Sequence, residues 1–115
     1  MNVYYASRTG NVESMSGKLG ISATKIEGGD EVADEDFILI TYTDGYGDIP
    51  AEVDAFLANN ASHLKGVVAS GDSSYGDAFC GAGKAIVEKY GSKDLYHFEN
   101  DGTDEDVKAI LDLVK

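Results

Sequence analysis

Three short stretches concentrate the residues of this chain that could do chemistry. The first is Ser7-Arg8-Thr9-Gly10-Asn11, with Val12 behind it. Ser7 and Thr9 offer hydroxyls, Gly10 lets backbone N–H groups come close to a ligand, and a helix is expected from about Asn11. Orphan N–H groups and the helix dipole together make a cradle for an anion, and Arg8 adds charge. The stretch lacks the Gly-Lys-[Ser/Thr] ending of a triphosphate loop and the Gly-x-Gly-x-x-Gly of a dinucleotide site, so a monophosphate fits better. A plain strand-to-helix turn with good capping residues explains the same pattern equally well.

The second stretch is Thr43-Asp44-Gly45-Tyr46-Gly47-Asp48 and the third is Ser70-Gly71-Asp72-Ser73-Ser74-Tyr75-Gly76, followed by Asp77 and Phe79. Each carries a tyrosine among small residues. Tyr46 and Tyr75 could stack on the two sides of a flat heterocycle, a geometry that aromatic pairs favour. The competing reading is that both tyrosines pack on their own loops. The small residues around them shape a slot better than they build a core.

Stepping outward, the elements must bring these stretches together. An apolar run over residues 2–6 reads as a buried strand, and Val12, Met15 and Leu19 give a helix that Gly20 ends. Residues 21–26 read as an edge strand. Residues 27–36 hold six acids, too short and polar for a crossover helix, and are expected to be a solvated acidic connection. Phe37-Ile38-Leu39-Ile40-Thr41-Tyr42 is a strand buried on both faces. Asp48 is expected to cap a helix with Pro50 in its first turn and Val53, Phe56 and Leu57 facing inward. A strand over 67–70 and a helix over 77–90, with Phe79, Ala82, Ile86, Val87 and Tyr90 inward, come next. A strand over 95–99 and a helix capped by Thr103 complete the chain. This alternation predicts an α/β fold: a doubly wound, five-stranded parallel sheet with helices on both faces. Ligands of such sheets bind outside the carboxyl ends of the strands, where all three stretches fall.

Bulk properties narrow the partners. The 115 residues make one domain, 1–115, and nine basic against 21 acidic side chains leave a net charge of −12. Nucleic acid and anionic membrane would be repelled. No secretion signal opens the chain and no apolar run is long enough to span a bilayer, so a cytoplasmic protein is expected. Cys80 falls in a predicted helix among small residues and reads as an inert thiol. His63 and His97 lack partners at ligand spacing, so no metal site is expected. Asp44 could suggest a receiver aspartate. The acidic pair such chemistry needs after the first strand is replaced by Ser7-Arg8-Thr9, and its lysine after the fifth by Glu99-Asn100.

Ser7-x-Thr9-Gly10-Asn11 resembles the phosphate loop of flavodoxins. Tyr46-Gly47-Asp48 resembles the loop whose glycine faces the flavin N5. Gly71-Asp72-Ser73-Ser74-Tyr75, with Phe79-Cys80-Gly81-Ala82, is similar to the third flavin loop. Ser7 to Val12, Asp34 to Thr43, Gly45-Tyr46-Gly47-Asp48-Ile49-Pro50 and the Phe98-Glu99 … Gly102-Thr103 … Asp106-Val107 close bear a nearer resemblance to the NrdI family, flavodoxin-like activators of class Ib ribonucleotide reductase. That resemblance implies a flavodoxin-like strand order 2-1-3-4-5 and one FMN. It places the flavin against Ser7, Arg8, Thr9, Gly10, Asn11, Val12, Thr43, Asp44, Gly45, Tyr46, Gly47, Asp48, Ser70, Gly71, Asp72, Tyr75, Gly76, Asp77 and Phe79. It also implies an accessory redox protein rather than a stand-alone enzyme. An electron-donating reductase would supply it, dioxygen would be reduced to a superoxide-type oxidant, and the class Ib small subunit would receive that oxidant at its dimanganese centre. The wording Asp72-Ser73-Ser74-Tyr75 is that of electron-carrier flavodoxins, so a one-electron carrier is the alternative. An interaction module that kept the fold without the flavin is a third reading.

Overall fold

A computed structural model describes residues 2–8, 10–43, 48–71 and 81–114. Its centre is β3 (Phe37–Tyr42), in which every side chain from Phe37 to Thr41 is buried. Around it lie β1 (Asn2–Ala6), β2 (Thr24–Lys25), β4 (Leu64–Gly71) and β5 (Asp94–Glu99). They pair in the order β2-β1-β3-β4-β5, all parallel. The expected sheet and its order are therefore what the chain forms.

Alternation along β3 divides the core in two. Phe37 and Leu39 point to one face, where α2 (Ala51–Asn60) supplies Val53, Phe56 and Leu57 and α3 (described over Gly81–Tyr90) supplies Ile86. Tyr4, Phe37 and Phe56 pack ring against ring there, with centroids 5.0–5.5 Å apart. Ile38 and Ile40 point to the other face, against Val12, Met15 and Leu19 from α1 (Asn11–Lys18) and its end, and Ile110 and Val114 from α4 (Asp104–Val114). Parallel strands joined by right-handed crossovers require a helix layer on each side, and period-2 side chains feed both. Gly20 and Gly91, at φ +67° and +75°, terminate α1 and α3 as expected.

Several boundaries differ from the sequence reading. Only Thr24 and Lys25 pair as β2, opposite Tyr4 and Tyr5, so the edge strand is shorter than the expected 21–26. Strand β4 begins three residues earlier than expected, at Leu64, after a 3₁₀ turn over Ala61–His63. Asp48 does not cap α2. The N-cap is Pro50, at φ −56° and ψ 142°, so the chain is still extended two residues beyond Asp48, which stays exposed. The start of the helix expected from Asp77, Phe79 and Cys80 lies outside the described residues. Within α3, Ala82 and Ile86 are buried as expected, Val87 and Tyr90 only half so, and Gly83 is buried with them.

The acidic connection is exposed in its charges yet fastened at several points. Asn60, buried at the end of α2, accepts the Ala33 N–H at 2.8 Å and donates to the carbonyls of Glu31 and Phe56 at 2.9 and 2.8 Å. The Glu31 carboxylate accepts N–H groups of Glu27, Gly28 and Gly29. Burial works against that charge, but these N–H groups hold the carboxyl below its ordinary value. Gly29 has φ +85°, and a Cβ there would meet Ala55 and the Glu52 carbonyl, so only glycine lets the connection close on α2. An Asn60→Ala variant leaves the buried Ala33 N–H without its acceptor. It should lose about 2–3 kcal/mol in denaturant unfolding; a loss within about 0.5 kcal/mol, the usual surface value, would refute the fastening role.

At the other end of the chain, Thr103 and Asp106 cap α4 reciprocally. Thr103 Oγ1 accepts the Asp106 N–H at 3.2 Å, and Asp106 accepts the Thr103 N–H at 2.8 Å together with the Tyr96 hydroxyl at 2.5 Å. Burial raises the Asp106 carboxyl, but the bonds from Tyr96 and Thr103 outweigh it, and the net direction is below the ordinary 3.8. A carboxyl lowered in the folded state stabilises fully above its unfolded value and loses that contribution as pH falls through the folded one. Asp106→Asn should therefore cost about 1 kcal/mol at neutral pH, with the gap to the parent protein narrowing well below pH 3.8. Urea unfolding at the two pH values checks it, and a constant gap would show that charge plays no part.

Candidate functional site

Strands β1, β3 and β4 are adjacent and parallel, so their carboxyl ends open on one edge. Register places Ala6 beside Thr41, and Tyr42 beside Ser70. From β1 the chain crosses first to β2 on one side, and the next strand, β3, lies on the other. The order thus reverses between β1 and β3, the place where sheets of this kind leave a crevice. Ser7, Thr43 and Gly71, at or just past the ends of these three strands, stand on that edge.

On the β1 side, Gly10 is the N-cap of α1 in the left-handed region, at φ 94° and ψ −4°. A glycine cap has no side chain to cover the first-turn N–H groups, and a Cβ built there would meet nothing within 4 Å among the described residues. Ser7 Oγ accepts the Gly10 N–H at 3.1 Å, which bends the loop back toward the strand. Asn11 is half-buried, while Val12 is fully buried and anchors the helix below the loop. The result is a helix N-terminus with no side-chain cap, a fitting seat for an anionic group.

Across the crevice, hydroxyls stitch the strand ends together. Thr43 donates to the Ser70 carbonyl at 2.9 Å, and Ser70 donates to the Asn100 carbonyl at 2.7 Å. The Asn100 N–H returns to the Gly71 carbonyl at 2.9 Å, with Asn100 at φ 53°. Thr43 and Ser70 thus fix the floor of the site, and Gly71 is half-buried between them. Thr9, Asp44, Gly45, Tyr46, Gly47, Asp72, Tyr75, Gly76, Asp77 and Phe79 lie outside the described residues.

Arg8 was named as a site residue from the sequence, but its two partners at this edge, Tyr42 and Glu52, were not. Arg8 places its guanidinium 5.1 Å from the centroid of the Tyr42 ring, and the Tyr42 hydroxyl donates to Glu52 of α2 at 2.7 Å. Burial first, then the Glu52 bond and charge, push the Tyr42 hydroxyl up to about 12, with Arg8 pulling the other way. The available signal was Tyr42 itself, a polar-tipped aromatic closing an otherwise aliphatic strand. Among the described residues no group of three His, Cys, Asp or Glu side chains could hold a metal ion, and no helix is long and apolar enough to cross a membrane.

Comparison with known proteins places this geometry in a family. A protein named NrdI from Bacillus licheniformis is 37% identical over 115 residues, covering 100% of this chain and 88% of that protein. Proteins of the same name from Rhizobium leguminosarum bv. trifolii and Brucella ovis are each 40% identical over 117 residues, covering 94% of this chain and 87% of each relative. Among solved structures, a short-chain flavodoxin associated with a non-canonical PDU bacterial microcompartment superposes with a TM-score of 0.68 at 21% identity, covering 96% of this chain and 90% of that one. That likeness shows the fold. Residues 3–112 match the family described as NrdI flavodoxin like. The chain belongs to that family, and family and fold together imply a flavin cofactor.

Proposed function

We propose that the protein works in the cytoplasm as a single FMN domain that activates a class Ib ribonucleotide reductase. The match to the NrdI family over residues 3–112 is the observation that carries this reading. The glycine-capped start of α1, beside the point where strand order reverses, supports it. Bound FMN, reduced by a partner reductase, would supply electrons to dioxygen and so provide a superoxide-type oxidant for the dimanganese centre of the small subunit.

The chain's own groups have simpler tasks. The hydroxyls of Ser7 and Thr9 and the Asn11 N–H would hold the phosphate, with the dipole of α1 behind them. Tyr46 and Tyr75 would sandwich the ring system, and the small residues beside them would leave an edge open to dioxygen and to the partner. Thr43 and Ser70 keep the floor at fixed depth through bonds to neighbouring carbonyls. The net charge of −12 would speed encounter with a small subunit whose oxidant entrance is basic.

Phosphate recognition predicts a large preference for FMN over riboflavin. Hydrogen bonds to a charged group contribute roughly 1.5–3 kcal/mol each, so losing several should weaken riboflavin by about a hundredfold or more in fluorescence titration. Equal affinities would exclude the cradle. Activation itself is tested by mixing the reduced holoprotein, dioxygen and a manganese-loaded class Ib small subunit. Electron paramagnetic resonance should then show tyrosyl radical above the control without flavoprotein. No radical with a cognate subunit, together with two well-separated one-electron steps on reductive titration, would favour a one-electron carrier instead.

A further inference from the structure

Three elements meet at Tyr42. Its ring lies under the guanidinium of Arg8 from the loop after β1, and its hydroxyl is bound to Glu52 in the first turn of α2. Its neighbour Thr43 is tied to β4. The ring is half-buried and packs against both halves of the core, so its position is set from both faces of the sheet. Arg8 sits two residues before Gly10, the cap of α1. A positive charge two residues before the cap of α1 is thus coupled, through one ring, to a negative charge on the next helix.

We propose that Tyr42 and Glu52 are positioning residues for the anion cradle: Tyr42 carries Arg8, and the Glu52 carboxylate offsets part of the positive charge Arg8 presents to a bound phosphate. This rests on the flavin reading above. The consequence has opposite signs for the two charged members. Removing the carboxylate leaves Arg8 less compensated and favours a phosphate dianion, whereas removing the guanidinium leaves Glu52 facing it and disfavours the dianion. A purely structural role predicts the same direction for both, since either change would loosen the same packing. Glu52→Gln keeps an oxygen acceptor for the Tyr42 hydroxyl, so it changes charge more than shape.

The titration properties of the free protein report the coupling without any flavin. Both charges act on the Tyr42 hydroxyl, Glu52 raising and Arg8 lowering its titration.

The experiment uses the full chain and its Glu52→Gln, Arg8→Gln and Tyr42→Phe variants, with FMN and riboflavin as probes at low and 1 M salt. Expected are FMN affinity raised about threefold by Glu52→Gln and lowered about threefold to tenfold by Arg8→Gln, both effects shrinking at high salt, with riboflavin affinity unmoved. In the flavin-free protein, alkaline absorbance titration, with Tyr42→Phe identifying the Tyr42 component, should show that component lowered by Glu52→Gln and raised by Arg8→Gln. FMN affinities shifting in the same direction, or FMN and riboflavin shifting together, overturn the proposal even where flavin binds. A parent protein that binds neither flavin while the Tyr42 component still shifts in both senses overturns the flavin reading and, with it, the role assigned toward phosphate.

Discussion

The structure depends on one constraint: β3 is apolar on both faces and has to be covered on both. Five consecutive buried side chains, Phe37 to Thr41, cannot be satisfied by one helix layer. The alternation of Phe37 and Leu39 with Ile38 and Ile40 assigns α2 and α3 to one side and α1 and α4 to the other. Its neighbours run parallel to it, with helical crossovers or their substitutes between them. Once that is so, the loops after β1, β3 and β4 have to emerge on the same edge. The site follows from the coverage of a single strand.

The same constraint explains how little chain is spent between β2 and β3. The face beneath that connection needs only a small apolar plug, which Ile26 and Ala33 provide. The remaining residues can be acidic because Asn60 and the Glu31 carboxylate satisfy the backbone groups that a helix would otherwise have paired. Two side chains stand in for a length of regular structure.

Strand order, helix stops and the capping of α4 were legible because each rests on local chemistry: the apolar run of β3, Gly20 and Gly91 at positive φ, and Thr103 three residues before Asp106. Less legible were features set by distant partners. Helical spacing puts Asn60, and not the exposed Asn59, in line with Val53, Phe56 and Leu57, but what its amide bonds to is set by the distant connection. Asp48 looked like a cap, but Pro50 fixes an extended backbone and moves the helix start forward. The helix start after Gly10 was readable from the Ser-x-Thr-Gly-Asn spacing, whereas the Arg8–Tyr42–Glu52 arrangement joins residues 34 and 10 positions apart in sequence. Spacing arguments do not reach that far.

The two ends of the sheet also differ from its middle in a way that bears on crowding. At one end β2 offers only two paired residues, Thr24 and Lys25, both exposed. At the other, β5 sets Asp94, His97 and Glu99 toward solvent. A second chain seeking to extend the sheet would find a template too short at one border and charged at the other. With twelve negative charges in excess, copies of the protein also repel one another at a distance. Both borders of the sheet are thus poor templates for pairing with another copy of the chain.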